Sequence, residues 1–320
     1  MLCIGYDIGG TKCAVSLGRV EGEALEILEK EQFPTQGAPT EVLSRMADCA
    51  EALLKRRGLS FQAVTSAGIS CGGPLDSTRG VILSPPNLPG WDEVPATNLL
   101  ERRTGISTRL QNDANACAVA EWKFGAGRGS RSMVFLTFGT GLGAGLILDG
   151  RLYCGASDMA GEVGHLRLAE DGPVGYGKPG SAEGFCSGGG IARSCILAVG
   201  RALSQGKTPA IYQAVDGDLT RITAYLVAKM AREGDIFCQE IYAACGRRLG
   251  MLLSMLMDVL NPEIIVLGGV FMRSQDLIRP AMEAVIAQEA LPHASQVCRI
   301  LPAGLGEAIG DYAALSVACL

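Results

Sequence analysis

The chain has only two histidines, His165 and His293, and none of its twelve cysteines stands in a C-x-C or C-x-x-C pair. Scattered single cysteines, several inside apolar runs (Cys13, Cys117, Cys195, Cys245, Cys319), make no secreted disulfide framework. They read as reduced, buried thiols in a cytosol. No Lys/Arg block occurs and the net charge is -5, so no nucleic-acid partner is expected. No apolar run is long enough for a bilayer: residues 249–260 come nearest, but they hold Ser254 and Asp258 and follow Arg247-Arg248. The apolar stretch before Asp7 is too short for a signal peptide, and a cytoplasmic protein without a membrane partner is expected. Two nucleotide motifs are also missing. Gly206-Lys207-Thr208 would end a P-loop only with glycine at 201, where Arg201 stands; a G-x-G-x-x-G from Gly139 would need glycine in place of Ala144.

What is present is glycine: 43 residues, well above its usual share, with 48% apolar content and length enough for two domains. Phe138-Gly-Thr-Gly-Leu-Gly-Ala-Gly145 lies between apolar runs at 133–136 and 146–148, which predicts strand, glycine turn, strand. Alternate glycines strip a turn of side chains and bare its amides, the usual way a loop holds phosphate. Ile4-Gly-Tyr-Asp-Ile-Gly-Gly-Thr-Lys12 predicts a counterpart near the N-terminus. Thr11 and Thr140 add hydroxyls and Lys12 a cation, while Asn112-Asp113 sets a carboxylate between the two turns. Either turn alone reads as an ordinary hairpin. The pair with an acid between them suggests phosphoryl transfer from a nucleotide.

Around these turns, apolar spacing predicts helices over residues 40–57, 114–124, about 191–204, 208–214, 218–232, 235–260, 277–289 and 309–318. Strands are expected over 63–69, 106–111, 263–267 and 298–301, and residues 71–95 and 154–190 read as irregular, glycine-rich stretches. Hairpins followed by alternating strands and helices, given twice, indicate α/β with two related halves.

The two turns, Asn112-Asp113 and the later Gly268-Gly269 resemble the superfamily of actin, Hsp70 and hexokinases. Asp7-Ile-Gly-Gly-Thr-Lys12, Pro86-Asn-Leu88 with Trp91, Asn112-Asp113, Gly139-Thr-Gly141 and Gly161-Glu-Val-Gly-His165 follow the order and rough spacing of the ROK family, over essentially the whole chain. That family contains bacterial sugar kinases and sugar-responsive repressors. The resemblance implies an actin-like ATPase, ribonuclease H-like fold of two domains with a central cleft: residues 1–112, completed by a C-terminal helix at about 305–320, and a larger domain at 113–304. It further implies ATP, Mg²⁺, a homodimer and a hexose substrate, with glucose phosphorylated at its 6-hydroxyl as the leading reading. N-acetylmannosamine, N-acetylglucosamine, fructose and allose are the alternatives. The family's repressors carry a helix-turn-helix before the first phosphate motif, which here starts at residue 7; a non-catalytic sensor would not need Asp113, Lys12 and both turns.

Residue by residue, the resemblance makes Asp113 the general base, although Asp is also a favoured helix N-cap and a helix starts there. It assigns sugar hydroxyls to Gly73, Asn87, Asn112, Glu162, His165 and Glu183, and nucleotide contacts to Gly9, Gly10, Thr11, Lys12, Thr140, Gly141, Gly268 and Gly269. Asp7 would hold Mg²⁺ through water. Glu162 and His165 at i, i+3 also fit a helical metal motif, but Gly161 and Gly164 argue against a helix interior. Where the family has C-x-C-G-x-x-G-C-x-E this chain has Val174, Tyr176 and Ser181 in place of cysteine, with Gly177, Gly180 and Glu183 retained. No zinc site is expected, since these side chains cannot replace thiolates; packing by Tyr176 and Pro179 is expected to hold the loop instead.

Overall fold

The computed structural model describes residues 1–320. In chain order the elements are β1 (Leu2–Ile8), β2 (Lys12–Glu21), β3 (Ala24–Pro34), α1 (Pro39–Arg56), β4 (Ser66–Cys71), β5 (Leu75–Asp76), β6 (Val81–Ile82), α2 (Ala96–Thr104), β7 (Thr108–Asn112) and α3 (Asp113–Phe124). Then come β8 (Met133–Leu136), β9 (Ala144–Leu148), β10 (Arg151–Tyr153), β11 (Val174–Gly175), β12 (Lys178–Pro179), α4 (Ala182–Phe185), α5 (Gly188–Ser204) and α6 (Ala210–Ala214). The chain ends with α7 (Ala224–Arg232), α8 (Ile236–Leu260), β13 (Ile264–Leu267), α9 (Val270–Glu289), α10 (Pro292–Val297), β14 (Arg299–Pro302) and α11 (Ile309–Val317). Two five-stranded sheets run β3-β2-β1-β4-β7 and β10-β9-β8-β13-β14. No helix is long and apolar enough to cross a membrane.

By compactness the chain divides into two units: Met1–Phe135 with Gly145–Ala160 and Ala303–Leu320, and Leu136–Ala144 with Gly161–Pro302. Both sides of the 112/113 junction read from the sequence lie in the first unit. There β1 pairs antiparallel with β2 and parallel with β4, and β4 parallel with β7. On one face α1 buries Val42, Leu43, Met46, Ala50, Leu53 and Leu54, the stripe its spacing predicts. On the other, α11 lies directly on the strands, because Gly5 and Gly68 carry no Cβ: a methyl on Gly5 would stand 2.8 Å from Leu315 N, and one on Gly68 would strike the Ala314 carbonyl. Such close approach lets Ala116 of α3 and Ala313 and Val317 of α11 form a small, fully buried cluster.

In the second unit α8 is the spine, burying Cys238, Ile241, Tyr242, Leu249, Leu252 and Leu253. α9 runs against it where Gly246 and Gly250 present bare backbone; added methyls would lie 2.5 and 2.6 Å from the carbonyls of Ile278 and Met282. α9 starts at Val270, earlier than the sequence expectation, and kinks at Ser274. Helices α2 and α10 also go beyond what periodicity predicts; α2 ends on Gly105 in the left-handed region, a stop signal legible in the sequence. Every cysteine is a free thiol, and none is exposed.

Candidate active site

Strands β1, β4 and β7 run parallel and end together, with Ile8 opposite Cys71 and Cys71 opposite Asn112. Side chains just beyond these ends collect at one edge of the sheet, where α/β folds place ligands. The β1–β2 hairpin closes with Ile8 opposite Cys13, and Gly9 N–H donates to the Lys12 carbonyl (3.1 Å). Thr35 fastens the turn: its N–H donates to the Thr11 carbonyl (3.0 Å) and its hydroxyl to the Gly9 carbonyl (2.6 Å). Gly10 and Thr11 keep their amides unpaired, and both residues, with Lys12, are exposed. Two N–H groups, a hydroxyl and an ammonium are thus free for an anion. The Asn87 carbonyl fills the space a side chain at residue 10 would need, and Asn112 Nδ2 lies 3.1 Å from where Gly73 would carry a Cβ. Gly73, Asn87 and Asn112 are therefore drawn to this edge with the turn.

Asp7 sits half-buried near the end of β1. Burial, then the neighbouring carboxylates of Asp113 and Asp311, push its pKa up to about 7, against weaker opposition from Lys30 and Lys12. Asp311 is itself paired with Lys30 at 2.6 Å. Asp113 is the first residue of α3, and its side chain reaches solvent. The surrounding protein still displaces enough water to raise its pKa, while the Ala114 N–H opposes that rise. The sequence expectation of Asp113 as N-cap is corrected here. The cap is Asn112, whose Oδ1 accepts from Ala114 N–H (2.9 Å), and Asp113 Oδ1 shares that donor at 2.8 Å. With Asn112 serving the helix end, the Asp113 carboxylate is held by backbone N–H groups alone, those of Ala114 and of Asp113 itself.

The second unit carries the other glycine turn. Gly139 N–H donates to the Gly141 carbonyl (2.9 Å), and Gly143 N–H to Thr137 Oγ1 (3.0 Å). The amides of Thr140 and Gly141 remain unpaired. Phe138 holds a left-handed φ of 38° with its ring fully buried, a strain of about 1–2 kcal/mol that burial offsets. Gly268-Gly269 packs on this turn: Gly268 N–H donates to the Leu136 carbonyl (2.9 Å), and any side chain on Gly269 would strike the Phe138 carbonyl. The glycine at 269 is thus required by the protein's own backbone. Glu183 reaches the turn from α4, with Oε2 accepting from Leu142 N–H at 3.1 Å and lying 2.6 Å from where a methyl on Gly141 would stand.

Residues Val163–His165 form a single 3₁₀ turn rather than an α-helix interior, as Gly161 and Gly164 imply. Gly164 packs beside Glu183, whose Cβ is 3.4 Å from its missing methyl, so the turn that carries His165 lies against α4. The segment that replaces the cysteine loop meets the expectation only in part. Pro179 is exposed and packs nothing, while Tyr176, although 74% exposed, sets its ring edge-to-face on His165 (centroids 6.3 Å apart). A two-residue hairpin holds the loop: Val174 pairs with Pro179 and Gly175 with Lys178, with positive φ at Tyr176 (44°) and Gly177 (74°). Lys178 Nζ donates to the His165 carbonyl (2.8 Å), Arg167 Nη1 to the Pro179 carbonyl (2.8 Å), and buried Ser181 caps α4 through Gly184 N–H (3.2 Å). Hydrogen bonds thus link the loop to His165. Lys178 and Asp311 were not singled out by sequence reasoning, for both act through contacts far along the chain. His293 lies exposed on α10, outside both sets of residues.

Residues 3–318 match the family model described as "ROK family". The chain is 33% identical over 279 residues to a glucokinase of Streptomyces coelicolor, covering 87% of this chain and 84% of that one. It is 29% identical over 319 residues to a glucokinase of Thermotoga maritima, covering 98% and 96%. Among solved structures it resembles a ROK family glucokinase from Streptomyces griseus in complex with glucose and AMPPNP, with a TM-score of 0.75, 29% identity and coverage of 100% and 99%. This chain therefore belongs to the ROK family, as a glucokinase-like, ATP-dependent sugar kinase of the actin-like, ribonuclease H-like two-domain fold.

Proposed function

We propose that the chain transfers the γ-phosphate of ATP to the 6-hydroxyl of a hexose, glucose first, with Asp113 as general base. The carrying observation is Asp113 itself: it is set at a helix start, relieved of sole capping duty by Asn112, held only by backbone amides, and open to solvent. The hydroxyl proton passes to Asp113, the sugar oxygen bonds to the γ-phosphorus, and the bond to the bridging oxygen breaks to leave ADP. Its raised pKa suits the role, since a stronger base accepts that proton more readily. Positioning and charge carry the rest of such a transfer.

Asn87, Asn112, Glu162, His165 and Glu183 supply hydrogen-bonding groups suited to a neutral polyol, and Gly73 allows close backbone approach. Gly9–Lys12, Thr140, Gly141, Gly268 and Gly269 serve the nucleotide. Asp7 fits Mg²⁺: burial first, then the carboxylates of Asp113 and Asp311, raise its pKa, and a hard cation beside it would stabilise its charged form. When bound, Mg²⁺ supplies positive charge to the phosphate oxygens. The substrate loop departs from the cysteine pattern, so an N-acetylated amino sugar, fructose or allose is the alternative acceptor. The protein is read as a cytoplasmic homodimer.

The test is a coupled ADP-release assay over a panel of hexoses and amino sugars, with Asp113→Asn beside wild type. Loss of the base should lower kcat about 10²–10⁴-fold with ATP binding intact. Unchanged turnover in the variant would reduce Asp113 to a structural residue, and a wild type inert towards every sugar would remove the kinase reading.

A further inference from the structure

The glycine turn at 139–141 carries no cation in its own sequence, unlike the first turn with Lys12. A cation stands beside it from elsewhere in the chain. The start of α5 is stitched to this turn, with Gly188 N–H donating to the Gly139 carbonyl (2.8 Å) and Gly189 N–H to the Thr140 carbonyl (3.4 Å). Ser187 Oγ caps Gly190 N–H (2.8 Å), so the first amides of the helix are already satisfied. One turn along, Arg193 leans back towards the helix start, the direction in which helical side chains tilt. Its Nη1 lies 3.0 Å from where a Cβ on Gly189 would stand, and the Thr140 carbonyl lies 3.2 Å from the same point. Gly189 thus leaves the room the guanidinium occupies.

Arg193 makes no ion pair, and its Nε is buried without a hydrogen-bond partner. A guanidinium at the positive end of its own helix is doubly unfavourable, both unpaired and repelled by the helix dipole. Beside it are the two unpaired amides of Thr140 and Gly141. Glu183, which also reaches the turn, accepts from Leu142 N–H (3.1 Å) and is not paired with Arg193. Cation and bare amides without a counter-charge make an anion site, and the planar fork of Arg matches phosphate oxygens. We propose that Arg193 binds the phosphate chain of the nucleotide at the Gly139–Gly141 turn. The inference rests on the reading of that turn as the nucleotide's phosphate site.

The test compares wild type, Arg193→Met and Arg193→Lys by calorimetric titration with ATP, ADP and adenosine, and by steady-state turnover. R193M should bind ATP and ADP about 10- to 100-fold more weakly. Adenosine affinity and the KM for hexose should stay unchanged, and R193K should recover part of the loss. R193M binding ATP as wild type does, while wild type turns over sugar with ATP, overturns this inference alone. Equal loss for adenosine overturns it too, showing a disturbed α5 rather than a phosphate contact. Wild type binding no adenine nucleotide overturns both the inference and the ATP-kinase reading.

Discussion

The two glycine turns share one backbone plan but are braced by different materials. Each is closed by one backbone bond from its first glycine, Gly9 to Lys12 and Gly139 to Gly141, and each leaves two amides unpaired. The first is buttressed by a backbone carbonyl, that of Asn87 over Gly10, and carries Lys12 within the hairpin. The second is buttressed by a side chain, Glu183 over Gly141, and has Arg193 beside it from α5. Backbone is hard to move and a carboxylate is not. The first turn is therefore a fixed cradle, and the second is coupled to whatever engages Glu183.

Methyl groups at the two turns give the largest contrast. Gly10→Ala drives a Cβ into the Asn87 carbonyl, and should cost about 2–3 kcal/mol in stability. Gly141→Ala meets only the end of Glu183, and should cost under about 1 kcal/mol while raising the KM for hexose through the displaced carboxylate. Thermal melting and sugar kinetics on both variants check this; equal losses would erase the distinction.

A smaller effect separates the turns by pH. Asp7 adjoins the first turn, and its folded pKa of about 7 stands above the ordinary carboxylate value of about 4. Its contribution to stability is full below about pH 4 and is lost as pH rises through 7, because the unfolded chain ionises first. Asp7→Asn removes this loss. Measured without Mg²⁺, the variant should gain on wild type between pH 4 and 7 and stay ahead above, by about 1–2 kcal/mol after allowance for solvent around a half-buried group. A pH-independent difference would show that Asp7 titrates normally.

The smallest effect concerns the loop beside the second turn. Lys178→Met removes the donor to the His165 carbonyl, and should raise the KM for hexose about three- to tenfold, with the melting temperature nearly unchanged. An unaltered KM would mean that His165 is held without Lys178.

The sequence made both turns legible because glycine's lack of a side chain acts locally: a run of glycines between apolar stretches has few conformations other than a bare turn. The same holds for Asn112-Asp113 ahead of an Ala-rich helix, although which of the two caps that helix depends on side-chain geometry. Tyr176 was legible only in part: its ring does meet His165, but the positive φ at 176 and 177 puts it on an exposed hairpin tip rather than in a packed loop. Asp311 beside Asp7, Lys178 on His165 and Arg193 at the second turn are single charged residues with no motif around them. What the chain fixed by itself was the α/β class, the two glycine turns and the Asn112-Asp113 pair, all encoded in short-range patterns. Only the tertiary structure decided which distant charges meet those turns, because an electrostatic partner is chosen by distance in space, and no local periodicity records it.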